Sequence, residues 1–205
     1  IQPFVGANVS NNFYFPLQLL NKKRQSNAVN PDKKLGILYS GLDKVKNEKT
    51  GGIIAHDLKS KKHLWTFPTN SGVYSYPYVK NGNIYFGCGE GNLYALNAIT
   101  GKLVWKFDSG GNELSSPVEH NGKVYCGCDN KFLYSIDTKS GELSWKIKVD
   151  SQIHLTAPCI LNSTVFFGSE EKCYAYDFEK KKVVWEYPLS TGASEFKVYN
   201  NNIYF

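Results

Sequence analysis

Long apolar runs and helical periodicity are what this chain of 205 residues lacks, and arginine is nearly absent from it. No apolar stretch is long enough to cross a bilayer, and none reads as a secretory signal peptide; the start at Ile1 without a methionine fits a processed or trimmed chain. Arg24 is the single arginine. With no nucleic-acid recognition motif beside it, nucleic acid is a weaker partner than an acidic protein or a membrane surface. No segment repeats apolar residues at helical spacing for long enough to cover a sheet, so the strands must bury their faces against other strands.

Catalytic and metal-binding patterns are equally scarce. The five cysteines are an odd number, and no two are adjacent, which does not make a disulfide framework. In an extended strand the Cys126 and Cys128 thiols point the same way about 7 Å apart, too far to bridge. Cys88 shares a repeat column with Cys128, but C-x-C without further ligands is not a zinc spacing, and core packing is the simpler reading. His56 and His63 flank a hairpin, His120 precedes an Asn-Gly turn and His154 lies in a connection; none has the partners of a catalytic arrangement. The glycine-rich piece Gly87–Gly91 precedes no helix that could present its N-terminus to a phosphate.

What the chain does have is repetition. Trp65, Trp105, Trp145 and Trp185 stand 40 residues apart, with Asp57, Asn97, Asp137 and Asp177 eight residues before them. Pro77, Pro117 and Pro158 hold another column, as do Gly87, Gly127 and Gly168. Each unit contains four short runs rich in aromatic and β-branched residues, separated by Asn-Gly, glycine-rich or Thr-Gly turns, which predicts four antiparallel strands. A period of this length belongs to propellers and other arrays. The expected fold is therefore an all-β propeller, or an arc of one, built from four-stranded blades. Its units span 26–67, 68–108, 109–148 and 149–189, with a partial unit at 1–25 and the start of a further one at 190–205. If the two ends met they would make one composite blade; if not, an open arc would expose apolar faces to a second copy or to further blades.

The segment Ala95-Leu-Asn97-Ala-Ile-Thr100-Gly101-Lys-Leu-Val-Trp105 resembles the Ala-x-Asp-x-x-Thr-Gly-x-x-x-Trp signature of the PQQ-type β-propeller repeat. It recurs with drift before Trp65, Trp145 and Trp185, and the first and last copies have lost the turn glycine. The resemblance implies that the four tryptophans dock adjacent blades and are buried at equivalent positions. It also implies one of two functional classes. Quinoprotein dehydrogenases hold pyrroloquinoline quinone and calcium, commonly beside adjacent cysteines; those features are absent, so no catalytic, cofactor-binding or metal-binding residue is assigned and no cofactor is expected. BamB-type propellers are non-catalytic scaffolds for protein partners in an extracytoplasmic compartment, and this is the class the chain is expected to join. Partial propellers in luminal stress sensors are a further alternative.

Charge sorts by turn. In an up-and-down blade the first and third turns share one end, and there lie Lys59, Lys61, Lys62, Lys180, Lys181 and Lys182, the candidate interaction face. Glu90, Asp129, Glu170 and Glu171 fall at the other end. The lysines are open to two readings, a docking face or solubilising decoration. The longer loop Leu42–Gly52 is likewise either a binding element or a harmless insertion.

Overall fold

The computed structural model describes residues 25–43, 51–153, 157–189 and 196–205. Residues 1–24 of the first partial unit, the centre of the Leu42–Gly52 loop and His154 fall outside these residues.

Each unit is one four-stranded antiparallel meander. The first comprises β1 (Gln25–Asp32), β2 (Ile37–Leu42), β3 (Gly51–Asp57) and β4 (His63–Thr69); the second β5 (Tyr78–Lys80), β6 (Asn83–Gly87), β7 (Asn92–Asn97) and β8 (Leu103–Asp108). The third comprises β9 (Val118–His120), β10 (Lys123–Gly127), β11 (Phe132–Asp137) and β12 (Leu143–Lys148). The fourth comprises β13 (Cys159–Leu161), β14 (Thr164–Gly168), β15 (Lys172–Asp177) and β16 (Lys182–Pro188), and a further hairpin follows as β17 (Lys197–Tyr199) and β18 (Asn202–Tyr204). These are the blades of a partial propeller, an arc without a covering helix among the described residues.

Local chemistry explains the meander. The hairpins at Asn81-Gly82 and Asn121-Gly122 carry positive φ at both residues, 53° and 79° in one and 49° and 75° in the other. Asn and Gly tolerate that conformation, whose twist matches the flanking strands. At the third turn of every unit the Asp or Asn column closes the loop. Asp57 Oδ1 accepts from the Lys59 and Ser60 N–H groups, Asn97 Oδ1 from Ile99 and Thr100, Asp137 Oδ1 from Lys139 and Ser140, and Asp177 Oδ1 from Glu179 and Lys180. This is the Asx-turn geometry that makes these side chains valuable in turns.

The core lies between sheets. One apolar cluster joins the first and second units through Tyr39, Ile53 and Trp65 against Ile84, Phe86 and Leu96; a second joins units two and three, and a third joins units three and four. The tryptophans sit on the outermost strands, each opposite a small residue: Ala55 across from Trp65, Ala95 from Trp105, Ser135 from Trp145 and Ala175 from Trp185. That small partner gives the indole room to lean toward the next unit.

The expectation of four equivalent buried indoles is corrected at the end of the series. Trp65 and Trp105 are 9% and 7% exposed, and their Nε1–H groups donate to Ala98 O (3.2 Å) and Thr138 O (2.8 Å) of the following unit. They lie over Gly101 and Gly141. Trp145 is half-buried among Tyr125, Tyr176 and Phe178, where Lys181 (φ 52°) stands in the place of the turn glycine. Trp185 is 40% exposed. The hairpin that follows it contributes β17 and β18 but, among the described residues, no third strand or turn carbonyl to cover the indole, which instead contacts Tyr187 and Phe205.

Candidate functional site

Backbone hydrogen bonds divide each unit into two ends. Leu58 N–H donates to Gly36 O, Ala98 to Gly82, Thr138 to Gly122 and Phe178 to Ser163, tying the third turn of each unit to its first. At the opposite end the second turn joins the connection between units, through Gly89 N–H to Gly72 O, Asp129 to Glu113 and Glu170 to Gln152. The sequence-predicted lysines Lys59, Lys61, Lys62, Lys180, Lys181 and Lys182 therefore project from the first end, and all are exposed. They belong to the first and fourth units, with Lys102 and Lys139 on the corresponding turns between them.

The two ends differ in how their charges are used. Lys61, Lys62, Lys102, Lys139, Lys181 and Lys182 make no salt bridge among the described residues, whereas Lys180 reaches its own turn aspartate, Asp177, at 3.4 Å. At the other end the carboxylates are built into the loops. Asp129 accepts from Asn112 N–H (2.9 Å) and Nδ2 (3.0 Å), Asp150 pairs with Lys172 at 2.8 Å, and Glu90 Oε1 accepts from Tyr94 OH at 2.9 Å. The carboxyl groups respond accordingly. Burial would raise Asp129 and Glu90, but hydrogen bonds from Asn112, and from Asn92, Tyr94 and Asn70, outweigh it and hold both below the ordinary range. Six lysines of the first end thus carry charge without a salt-bridge partner among the described residues, whereas Glu90, Asp129 and Asp150 at the other end are committed to structure.

One charged pair crosses between units. Glu119 on β9 is only 4% exposed; its Oε2 lies 3.1 Å from Lys80 Nζ on β5, and its Oε1 accepts from Gly122 N–H at 2.9 Å. The hydrogen bond to Glu119 raises the Lys80 pKa. Val79 and Ile160 hold the positions corresponding to Glu119 in the neighbouring units, so a carboxylate stands there where those units place an apolar side chain. The sequence signal was a glutamate in an apolar column.

Cys88, Cys126, Cys128 and Cys173 are buried free thiols, and Cys159 is a half-buried one. Burial pushes the Cys88, Cys128 and Cys173 thiols up to about 11 and Cys126 further still; such thiols are poor nucleophiles. His56 and His63 come together at the base of the β3–β4 hairpin, and burial, followed by the charge of His63, lowers the His56 pKa.

The family profile described as outer membrane protein assembly factor BamB matches residues 49–202. The chain belongs to this PQQ-repeat family. Among solved structures, BamB from Moraxella catarrhalis is 17% identical, with a TM-score of 0.67 over 79% of this chain and 49% of that one. The BamB-family chain thus spans about half the length of that relative. Quinohemoprotein alcohol dehydrogenase ADHIIG from Pseudomonas putida HK5 is 27% identical, with a TM-score of 0.51 over 56% of this chain and 20% of its own. A chain of the mitotic checkpoint complex shares the fold at 11% identity and a TM-score of 0.71, over 82% of this chain and 52% of that one. Among curated proteins none matches. No three of His, Cys, Asp and Glu converge among the described residues, and the buried carboxylate of Glu119 is taken by Lys80 and Gly122.

Proposed function

We propose that this BamB-family chain is a non-catalytic scaffold that binds an acidic protein partner through its lysine-bearing end, in an extracytoplasmic setting like that implied by the family's description. The supporting observation is the asymmetry of charge use: Lys61, Lys62, Lys102, Lys139, Lys181 and Lys182 at one end make no salt bridge among the described residues, while Asp129, Glu90 and Asp150 at the other end are engaged by Asn112, Tyr94 and Lys172. Unpaired charge on rigid turns attracts a complementary surface over the screening distance of about 8–10 Å at physiological salt. Its main effect is on the rate of encounter.

The test uses hexaglutamate as the acidic probe. Replacing Lys61, Lys62, Lys181 and Lys182 by glutamine should slow association about tenfold, and wild-type association should fall as salt rises. Glu113→Gln with Glu171→Gln, at the opposite end, should change it little. Equal effects from the two sets, or association indifferent to salt, would reduce the lysines to solubilising groups.

A further inference from the structure

We propose that His56 and His63 form a binding site for a late first-row divalent metal ion of the zinc, nickel and copper class. The two residues are direct partners across the β3–β4 ladder, beside the register shift that follows Ala55. The same ladder position in the other units holds Leu96 with Leu103, Ile136 with Leu143 and Tyr176 with Val183. Three units therefore place two apolar or aromatic side chains there, and the first unit replaces both with imidazoles.

The geometry suits two ligands on one ion. Metal–nitrogen bonds of about 2 Å place each ring centre about 3 Å from the metal, so rings sharing an ion in an open angle sit about 5–6 Å apart. The His56 and His63 rings are 5.8 Å apart and inclined at 78°. His63 Nε2 lies 2.9 Å from Thr66 Oγ1. With Nε2–H donating to that hydroxyl, Nδ1 keeps its lone pair, which is how an outer partner fixes the tautomer of a metal-binding imidazole. His56 Nδ1 is shielded from solvent and has no hydrogen-bond partner. Leaving a buried polar atom without a partner is unfavourable, and coordination would relieve it.

Imidazole nitrogen favours zinc, nickel and copper over calcium or magnesium. No third His, Cys, Asp or Glu joins the pair among the described residues, so two or more coordination positions remain for water or for a carboxylate of a bound molecule. The hairpin that carries the pair also carries Lys59, Lys61 and Lys62. An acidic partner drawn to those lysines would have a metal ligand within its own side chains; this extension rests on the proposed function, whereas metal binding itself does not.

Calorimetric titration of the chain with nickel chloride and with zinc chloride tests the site, with histidine ring protons followed by NMR. One saturable ion per chain is expected, shifting the His56 and His63 signals. His56→Leu with His63→Leu restores the apolar pair used by the other units and so should fold while losing that binding. Thr66→Val should weaken it about tenfold through the lost outer hydrogen bond, and Thr66→Ser should preserve it. Absence of saturable binding, or binding retained in the double leucine variant, overturns the proposal. Either result leaves the hexaglutamate measurement, made without metal, to stand or fall separately.

Discussion

At Gly101 and Gly141 the chain must satisfy two demands at once: a backbone with φ of +68° and +73°, and an indole lying where a side chain would begin. A Cβ at Gly101 would come 2.5 Å from Trp65 Cδ2, and one at Gly141 would come 2.7 Å from Trp105 Cγ. Gly82 has a similar φ of +79° but nothing within 4 Å of its would-be Cβ. Gly82→Ala should therefore cost about 1–2 kcal/mol, the backbone penalty alone. Gly101→Ala adds displacement of a buried indole and should cost about 2–4 kcal/mol. Urea denaturation midpoints would measure the difference, and equal losses at the two sites would mean that the indole yields freely. The Thr-Gly spacing announced a turn, but not that its glycine is also the seat of the preceding unit's tryptophan. That second role depends on a neighbour 36 residues away (101 − 65). For the same reason the exposure of Trp185 was illegible, since its own segment matches the others and only its neighbour differs.

The third turn is the element in which sequence and structure agree most closely, because Asp57, Asn97, Asp137 and Asp177 act on N–H groups two and three residues away. Local chemistry of this kind needs no knowledge of the fold. Asp57 is held below the ordinary carboxylate range first by Ser60, Asp137 first by Lys123 and then by Ser140 and Lys139, and Asp177 first by Lys180. A carboxyl whose folded pKa is depressed contributes stability above its unfolded pKa of about 3.9, and that contribution is lost as pH falls through the lower folded value. Acid below about pH 4 should thus loosen the third turns of the first, third and fourth units. The second unit uses Asn97, which does not titrate. Amide exchange between pH 5 and pH 2.5, corrected for intrinsic rates, should show Lys59, Ser60, Lys139, Ser140, Glu179 and Lys180 losing protection while Ile99 and Thr100 keep theirs. Parallel loss in all four turns would assign acid sensitivity to the molecule as a whole. The His56–His63 pairing, by contrast, was visible only as two histidines flanking a hairpin; the register shift after Ala55 sets them opposite one another, and alternation alone does not reveal such shifts.

Across the whole arc, cover is uneven. Outer strands of the first two units bury their tryptophans, while every residue of β16 in the fourth unit is exposed. The thiols report on this gradient. Cys126 between the second and third units and Cys173 in the fourth are both fully buried, but Cys173 lies on the strand paired with bare β16. Thiols raised by burial react only when the structure opens. Half-buried Cys159 should label first in native protein at pH 8, Cys173 next in mild urea, and Cys126 last, as read by mass spectrometry of labelled peptides. Simultaneous labelling of Cys173 and Cys126 would show that the units open together. The sequence displayed the repeated units and the sorting of lysines to one end, because both follow from strand order. It did not display the gradient, which is a property of neighbours. Trp65 and Trp105 each donate to a carbonyl 33 residues further on, always in the adjoining unit. Both contacts are therefore written in relative, not absolute, position. A gene segment encoding one 40-residue period could be deleted or duplicated in frame and each indole would still meet a turn of the next unit, whereas a gain or loss of 39 would break the register of every contact that spans the junction. Lengthening by unequal crossover is thus the evolutionary route this architecture leaves most open.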